Sequence, residues 1–343
     1  MLYLLILFTI LSISKLSFKK IKSIDESSLS KETTTTINGF FVGLILFSHF
    51  NSYVTLNHNL DTVYLKIMIY IGQLMVTSFL FYSGYGIFES IKNKPNYMKT
   101  FFKRRFLKLF LSFSFIILLY IIVNALLGKF YSIKTIILSF IGIKSIGNSN
   151  WFIFATFCLY IIVMISFKLF KKNNQAALLL CILGSLIYII LLRIFKFEEH
   201  WYNTILCFNL GMYISYYKAN ILSFLKNKYN YYLLFIIISI IFVICHRHTY
   251  NYIVYELYSL IFVSIILLVS LKIKITNSIL YFLGKNTFNI YVLQRMVYMI
   301  LNKIPYFQSN IYIYFIVSII IIVALSYILN YVINKLYRLF KLI

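Results

Sequence analysis

Apolar runs recur from one end of the chain to the other, separated by short polar segments rich in lysine. A membrane-spanning helix needs about 20 mostly apolar residues. The runs at 2–18, 38–56, 63–90, 105–127, 151–170, 175–195, 203–217, 230–246, 253–272, 284–302 and 310–333 meet or approach that length. The pattern predicts an all-α, polytopic transmembrane helical bundle of about 11 spans. It divides into an anchor helix with a basic linker (1–36), a main membrane domain (37–335) and a short tail (336–343). The first run carries no basic residue ahead of its apolar stretch, and no small-x-small cleavage site precedes the lysines that begin at Lys15. It is therefore expected to stay as an anchor rather than leave as a signal peptide. The stretch Ile136–Ile143 is too short to span and is expected to lie at the interface or re-enter.

Basic residues give the bundle a direction. Of the 33 Lys and Arg residues, 24 fall in one alternate set of connecting segments and 8 in the other, with Arg295 alone inside a span. By the positive-inside rule the richer side is cytoplasmic. The C-terminus is then cytoplasmic and the N-terminus outside, in a multi-pass protein of the cell membrane. Composition agrees: 62% of residues are hydrophobic, only 12% are charged, and mean hydropathy is +0.87. That excludes a soluble enzyme and a disordered chain, since soluble domains carry about 25% charged residues. The net charge of +25 accompanies the spans and carries no nucleic-acid fold signature, so the lipid bilayer is the expected partner and nucleic acid is not. The four cysteines are widely spaced within apolar runs, with no C-x-x-C and no metal-ligand pattern.

Few residues can carry chemistry. His49 lies inside an apolar run, where an ionisable residue is a functional candidate by default. A neutral imidazole can take a proton from a hydroxyl without stranding a charge in low dielectric. An interhelical hydrogen bond would equally account for it. Asn38 lies 11 residues earlier, roughly 16 Å along the helix and on nearly the same face. Arg295 sits about 15 Å into its own span, so it must face the interior and find a partner, with Glu256 the first choice and Glu89 the second. Arg295 and Gln294 are expected to line the same cavity as His49. Ser83-Gly84-Tyr85-Gly86 either breaks its long span, freeing backbone N–H groups, or forms a close-packing patch. Lys99, Lys103, Arg104, Arg105 and Lys108 crowd one end. Trp151 and Trp201 start spans at the outer face, where aromatic residues gather at interfaces; either could stack on a sugar. His246-Arg247-His248 and Glu198-Glu199-His200 read as solvated loops.

Six pieces, in order, resemble the acyltransferase-3 family of membrane-bound O-acyltransferases, which includes enzymes acting on cell-surface polysaccharides. They are Asn38-Gly39 through His49, Ser78 through the Ser83-Gly84-Tyr85 segment, Phe101-Phe-Lys-Arg-Arg105, Trp151-Phe152 with Tyr160, Trp201-Tyr202-Asn203 followed by Phe208-Asn-Leu-Gly211, and Gly284-Lys-Asn-Thr287-Phe-Asn-Ile-Tyr291. The resemblance covers residues 37 to about 335. Two positions depart from it. Asn38 stands where the family commonly has a basic residue, and Gln294 where it often has a second histidine.

The resemblance implies a ten-helix core and an acyl donor, usually acetyl-coenzyme A, arriving from the cytoplasm as a substrate, with no bound cofactor. The acceptor would be a hydroxyl of a cell-surface glycan or a lipid-linked sugar. His49 would be catalytic. Asn38, Ser83, Gly84, Arg105, Trp151, Gln294 and Arg295 would bind substrates, with His49 doing more of the proton transfer or Arg295 standing in for the missing histidine. A glycan transporter or flippase, or a non-catalytic relative, would share the polar cavity but not the donor site or the need for His49.

Overall fold

The structure is a computed structural model that describes residues 1–21, 24, 26–56 and 59–342, with the Glu26 side chain left out of account. It is a helical bundle. In chain order the helices are α1 (Leu2–Ile13), α2 (Lys31–Phe50), α3 (Asn59–Ile71), α4 (Leu74–Asn93), α5 (Tyr97–Phe101), α6 (Lys108–Leu126), α7 (Ile133–Phe140), α8 (Trp151–Leu169) and α9 (Asn174–Ile194). They continue as α10 (Leu206–Tyr216), α11 (Lys218–Leu225), α12 (Lys228–His246), α13 (Tyr252–Lys272), α14 (Ser278–Lys285), α15 (Thr287–Leu301), α16 (Pro305–Ser309) and α17 (Ile311–Leu339). Among the described residues the only sheet is a two-stranded antiparallel one, β1 (Leu16–Phe18) with β2 (Ile273–Ile275).

Among the described residues seven helical stretches are long and apolar enough to cross a membrane, Asn59–Asn93 (α3 with α4) and Tyr97–Leu126 (α5 through α6) among them. The other four predicted runs match helices that are shorter or more polar. Helix α1 has 12 residues, α10 has 11 and α15 has 15; α2 has 20 but opens on Lys31, Glu32 and four threonines. That opening also moves a boundary. The Ser30 side chain accepts from the Thr33 N–H and caps α2, supplying one of the partners a helix start lacks. Residues 31–36, expected as linker, are thus the first turns of the helix that carries His49. The 136–143 stretch is the short helix α7, as its length requires.

Two pairs of helices touch backbone to backbone. A Cβ on Gly84 would lie 2.0 Å from the Phe208 carbonyl oxygen, and one on Gly211 would lie 2.0 Å from that of Phe81. These reciprocal contacts run α4 antiparallel to α10. A second pair joins α2 to α14, where a Cβ on Gly39 would meet the Leu280 oxygen at 1.8 Å and one on Gly284 the Thr35 oxygen at 1.8 Å. Lipid gives helices no hydrophobic reason to associate with each other, so close approach at small residues is the means available. Helix α4 runs unbroken from Leu74 to Asn93. Of the two alternatives for Ser83–Gly86, a break and a close-packing patch, the structure has the packing patch. The break in the 59–93 segment lies at Gly72, whose φ of +38° suits a residue without a Cβ.

The N-terminal segment packs into this frame. Phe8 of α1 stacks on Phe40 with ring centroids 5.8 Å apart, and its ring fills the space a side chain at Gly43 would need. β1 then ties the segment to the connection between α13 and α14.

The glycine contacts yield a test with a control in the same helix. Gly84→Ala must push α4 from α10, a misfit that costs about 1–3 kcal/mol in a packed core. At Gly86 no atom lies within 4 Å of a built Cβ, and alanine is favoured in a helix by about 1 kcal/mol. Thermal unfolding followed by size-exclusion chromatography should show a lowered midpoint for Gly84→Ala and an equal or raised one for Gly86→Ala. Equal loss in both would mean that α4 and α10 are not in backbone contact.

Candidate functional site

One cavity of about 580 Å³ opens inside the bundle. Asn38 and Thr34 of α2, Phe79, Tyr82 and Ser83 of α4, and Phe152 and Tyr160 of α8 line it, with Phe208 of α10. Its remaining walls are the run from Lys285 to Asn289 with Tyr291, and Asn330, Asn334 and Tyr337 of α17. Every family-like piece of the sequence therefore places residues on this one space. The glycine contacts explain how. Asn38 precedes Gly39, Ser83 precedes Gly84, Lys285 follows Gly284, and Phe208 is the residue whose carbonyl Gly84 meets.

One end of the cavity is strongly basic. Arg104, Arg105 and Lys108 line it and also line an adjoining space of about 380 Å³ with Lys94, Tyr97, Ser90 and Leu342. Residues Phe102–Leu107 wind as a π-helix between α5 and α6. Such a turn inserts an extra residue and re-aims side chains, often at functional sites. Here it brings both arginines and Lys108 to a single opening. Arg105 is fixed by donation from its Nε to the Tyr97 hydroxyl at 2.9 Å. Lys108 lies 4.8 Å from the centre of the Tyr337 ring, whose hydroxyl is 2.6 Å from Ser112 Oγ. Lys99 and Lys103 are exposed and line neither space.

Deeper in, polar atoms are left without partners. Asn38 Oδ1 on the cavity wall has none among the described residues, nor does His49 Nδ1. The His49 ring lies 6.0 Å from that of Tyr291, which in turn lies 5.8 Å from Phe152. Tyr291 and Phe152 both line the cavity, so His49 stands one ring beyond its inner wall. It is deep in the bundle yet keeps part of its surface open. Its helix end is anchored by tyrosines. The Tyr298 hydroxyl donates to the Leu46 carbonyl at 3.0 Å, and the Tyr64 hydroxyl sits 3.0 Å from the Phe47 carbonyl and 2.8 Å from Asn51 Oδ1. The last carbonyls of a helix have no partner within it, so these bonds hold the turn that aims His49.

Arg295 lies one helical turn beyond Tyr291 on α15, and the Tyr53 hydroxyl is hydrogen-bonded to it. Its charge acts on His49, Tyr53, Tyr120, Tyr291 and His200. Neither expected partner reaches it. Glu256 accepts from the Leu206 N–H at 2.6 Å and so secures the start of α10. Glu89 bridges Lys92, Ser215 and Lys218 at 2.7, 2.8 and 3.1 Å, joining α4 to α10 and α11 at the basic end. Gln294 is fully buried and donates to the Tyr291 carbonyl at 3.2 Å, which steadies the turn between cavity and histidine. Neither Gln294 nor Arg295 lines the cavity. Gly84 meets Phe208 rather than open space, so its part is packing. Trp151 is half-buried, with its ring 5.8 Å from both Phe152 and His200.

Sequence reasoning overlooked the α17 wall. Asn330, Ile333, Asn334 and Tyr337 follow the i, i+3, i+4, i+7 spacing of one helix face, and Asn330 bonds Asn286 across the cavity rim. Three polar residues on one face of an apolar helix were a readable signal.

Among known families, one described as an acyltransferase domain matches residues 37–331, most of the chain. No curated protein and no solved structure matches it.

His200, in the turn Glu199–Trp201, reports on the Arg295 side of the site. Burial holds its imidazole below the usual pKa and Arg295 adds to that, while Glu198, 3.1 Å away, acts in the opposite sense. Arg295→Gln should therefore raise the His200 pKa, and Glu198→Gln should lower it, by NMR titration of the labelled imidazole. A His200 titration unmoved by Arg295→Gln would show that the guanidinium does not act on that turn.

Proposed function

We infer the function from one premise: the chain belongs to the acyltransferase-3 family and is an integral membrane acyltransferase. We propose that it moves an acyl group, acetyl in the simplest case, from coenzyme A on the cytoplasmic side to a hydroxyl of a cell-surface glycan or its lipid-linked precursor. The observation that carries this reading is the cavity itself, basic at one end and ending one aromatic ring short of His49.

The parts suit the donor in order. Phosphates need cations, and arginine offers them a planar fork of donors; Arg104, Arg105 and Lys108 stand at the mouth. The arm that follows carries amides. Asn38, whose Oδ1 is unpartnered among the described residues, and the polar Tyr82 on the same wall match amides better than a charged residue would. Asn38 in place of a basic residue is then no defect, because the cations lie one layer further out. At the inner wall the thioester reaches the Tyr291 turn.

His49 takes the proton of the acceptor hydroxyl as its oxygen attacks the thioester carbon. The tetrahedral intermediate collapses by expelling the coenzyme A thiolate. The proton held on the imidazole then passes to that sulfur, so His49 ends neutral and ready for the next cycle. With Gln294 where the family often has a histidine, His49 is, among the described residues, the histidine whose ring meets that of Tyr291.

Two measurements check this reading. His49→Ala should bind acetyl-coenzyme A like the wild type, while its acetyl-transfer or hydrolysis rate falls by about 10²–10⁴-fold, the usual weight of a general base. Unimpaired turnover would remove His49 from the mechanism. Arg104→Gln with Lys108→Gln should weaken donor binding and flatten its salt dependence, because fewer charges remain to be screened. Unchanged affinity would place the donor elsewhere.

A further inference from the structure

An arginine inside a membrane bundle needs a counter-charge or a dense set of acceptors, since an unpaired buried charge is strongly destabilising. Arg295 has neither. Among the described residues no carboxylate lies within ion-pair distance of it, and each acid near the bundle interior is engaged elsewhere. Asp61 meets the N-terminal ammonium at 3.0 Å, Glu89 meets Lys92 and Lys218, Glu198 meets His200, and Glu256 holds the start of α10. Arg295 Nε is buried with no hydrogen-bond partner among the described residues, while the side chain as a whole keeps part of its surface open. The groups that feel its charge are Tyr53, Tyr120, Tyr291, His49 and His200, none of which supplies negative charge.

We propose that Arg295 receives an anionic group of the acceptor, a carboxylate or a phosphate, and thereby holds the neighbouring hydroxyl against His49. This rests on the acyltransferase reading above and narrows its acceptor to negatively charged glycans or phosphate-bearing sugars. Position favours the acceptor over the donor. The donor's phosphates have their own cations at Arg104, Arg105 and Lys108, at the other end of the cavity, and Arg295 does not line that cavity. Its charge is felt both at His49 and at His200, and the His200 ring packs against Trp151. A sugar entering from that side would pass an aromatic face, meet a guanidinium whose fork fits a carboxylate or phosphate in two parallel bonds, and present its hydroxyl to the imidazole beyond.

The test needs no acyl donor, so its failure is separable from failure of the acyltransferase reading. The purified full-length protein in nanodiscs of neutral lipid is titrated with sodium glucuronate, glycerol 1-phosphate and glucose, and binding is read as a saturable shift of the thermal midpoint. At least one anion should bind the wild type about tenfold or more tightly than glucose, as charged hydrogen bonds allow, and the one that does identifies the acceptor's charge as carboxylate or phosphate. Arg295→Gln should lose the preference, and Arg295→Lys, which keeps charge without the fork, should retain part of it. Equal shifts with glucose and both anions, no saturable shift with either anion, or an unaltered preference in Arg295→Gln would each overturn the proposal. If Arg295→Gln does not fold, Arg295→Lys decides: a weakened preference supports the proposal, and an unaltered one overturns it, since the cations at Arg104, Arg105 and Lys108 are the same in both proteins.

Discussion

The arrangement depends on two places where helices meet with no side chain between them. At Gly84 and Gly211, and again at Gly39 and Gly284, a carbonyl of one helix occupies the volume that any Cβ would take. Each contact fixes both the distance and the relative rotation of its pair, since a small turn of either helix would drive a neighbouring side chain into the gap. The residues next to these glycines are wall residues of the cavity. Asn38, Ser83, Phe208 and Lys285 are thus set in place by backbone contact rather than by hydrogen bonds of their own. That suits residues which must stay free for a ligand: a wall held by its own polar bonds would have none to offer.

Charge is divided along the molecule in a way that follows from the same frame. The basic end is open and many-charged, fit for a mobile polyanion that arrives and leaves. The His49 end carries a single guanidinium without a carboxylate, surrounded by tyrosines whose hydroxyls donate to main-chain carbonyls. Tyr120 to Val292 and Tyr298 to Leu46 are examples, each at 3.0 Å. Those bonds tie α15 to α6 and to α2, and so keep the histidine and the arginine in register on their two helices. In low dielectric a lone charge is felt at longer range than in water, so Arg295 acts on both His49 and His200.

Much of this was legible in the chain, for identifiable reasons. Hydropathy reports burial in lipid, and it outlined the bundle. His49 stood out because a histidine in an apolar run is rare, and Arg105 because its neighbours formed a recognisable group. What hydropathy does not carry is which helices touch. Gly84 looked equally like a break or a contact, and only the position of Phe208 across from it decided. The partners proposed for Arg295 failed for a related cause. Sequence depth places a residue along the membrane normal but not around the bundle, and Glu256 faces α10. Helices α10 and α15 fell short of full spans because turns and loop segments flank their apolar cores. Asn330, Asn334 and Tyr337 were readable by spacing, but lay outside the family-like segments that drew attention.

The central claim is that one continuous path leads from the basic mouth past Asn38 and Ser83 to the imidazole of His49, and that the donor occupies it. The most direct measurement is a cryo-EM structure of the protein in a lipid nanodisc with a non-hydrolysable acetyl-coenzyme A analogue. The account predicts phosphate density among Arg104, Arg105 and Lys108, the arm against Asn38 and Tyr82, and the acyl carbon beside His49 with the Tyr291 ring displaced. Donor density outside the cavity, or an arm that ends at the mouth with His49 still sealed behind Tyr291 and Phe152, would contradict it.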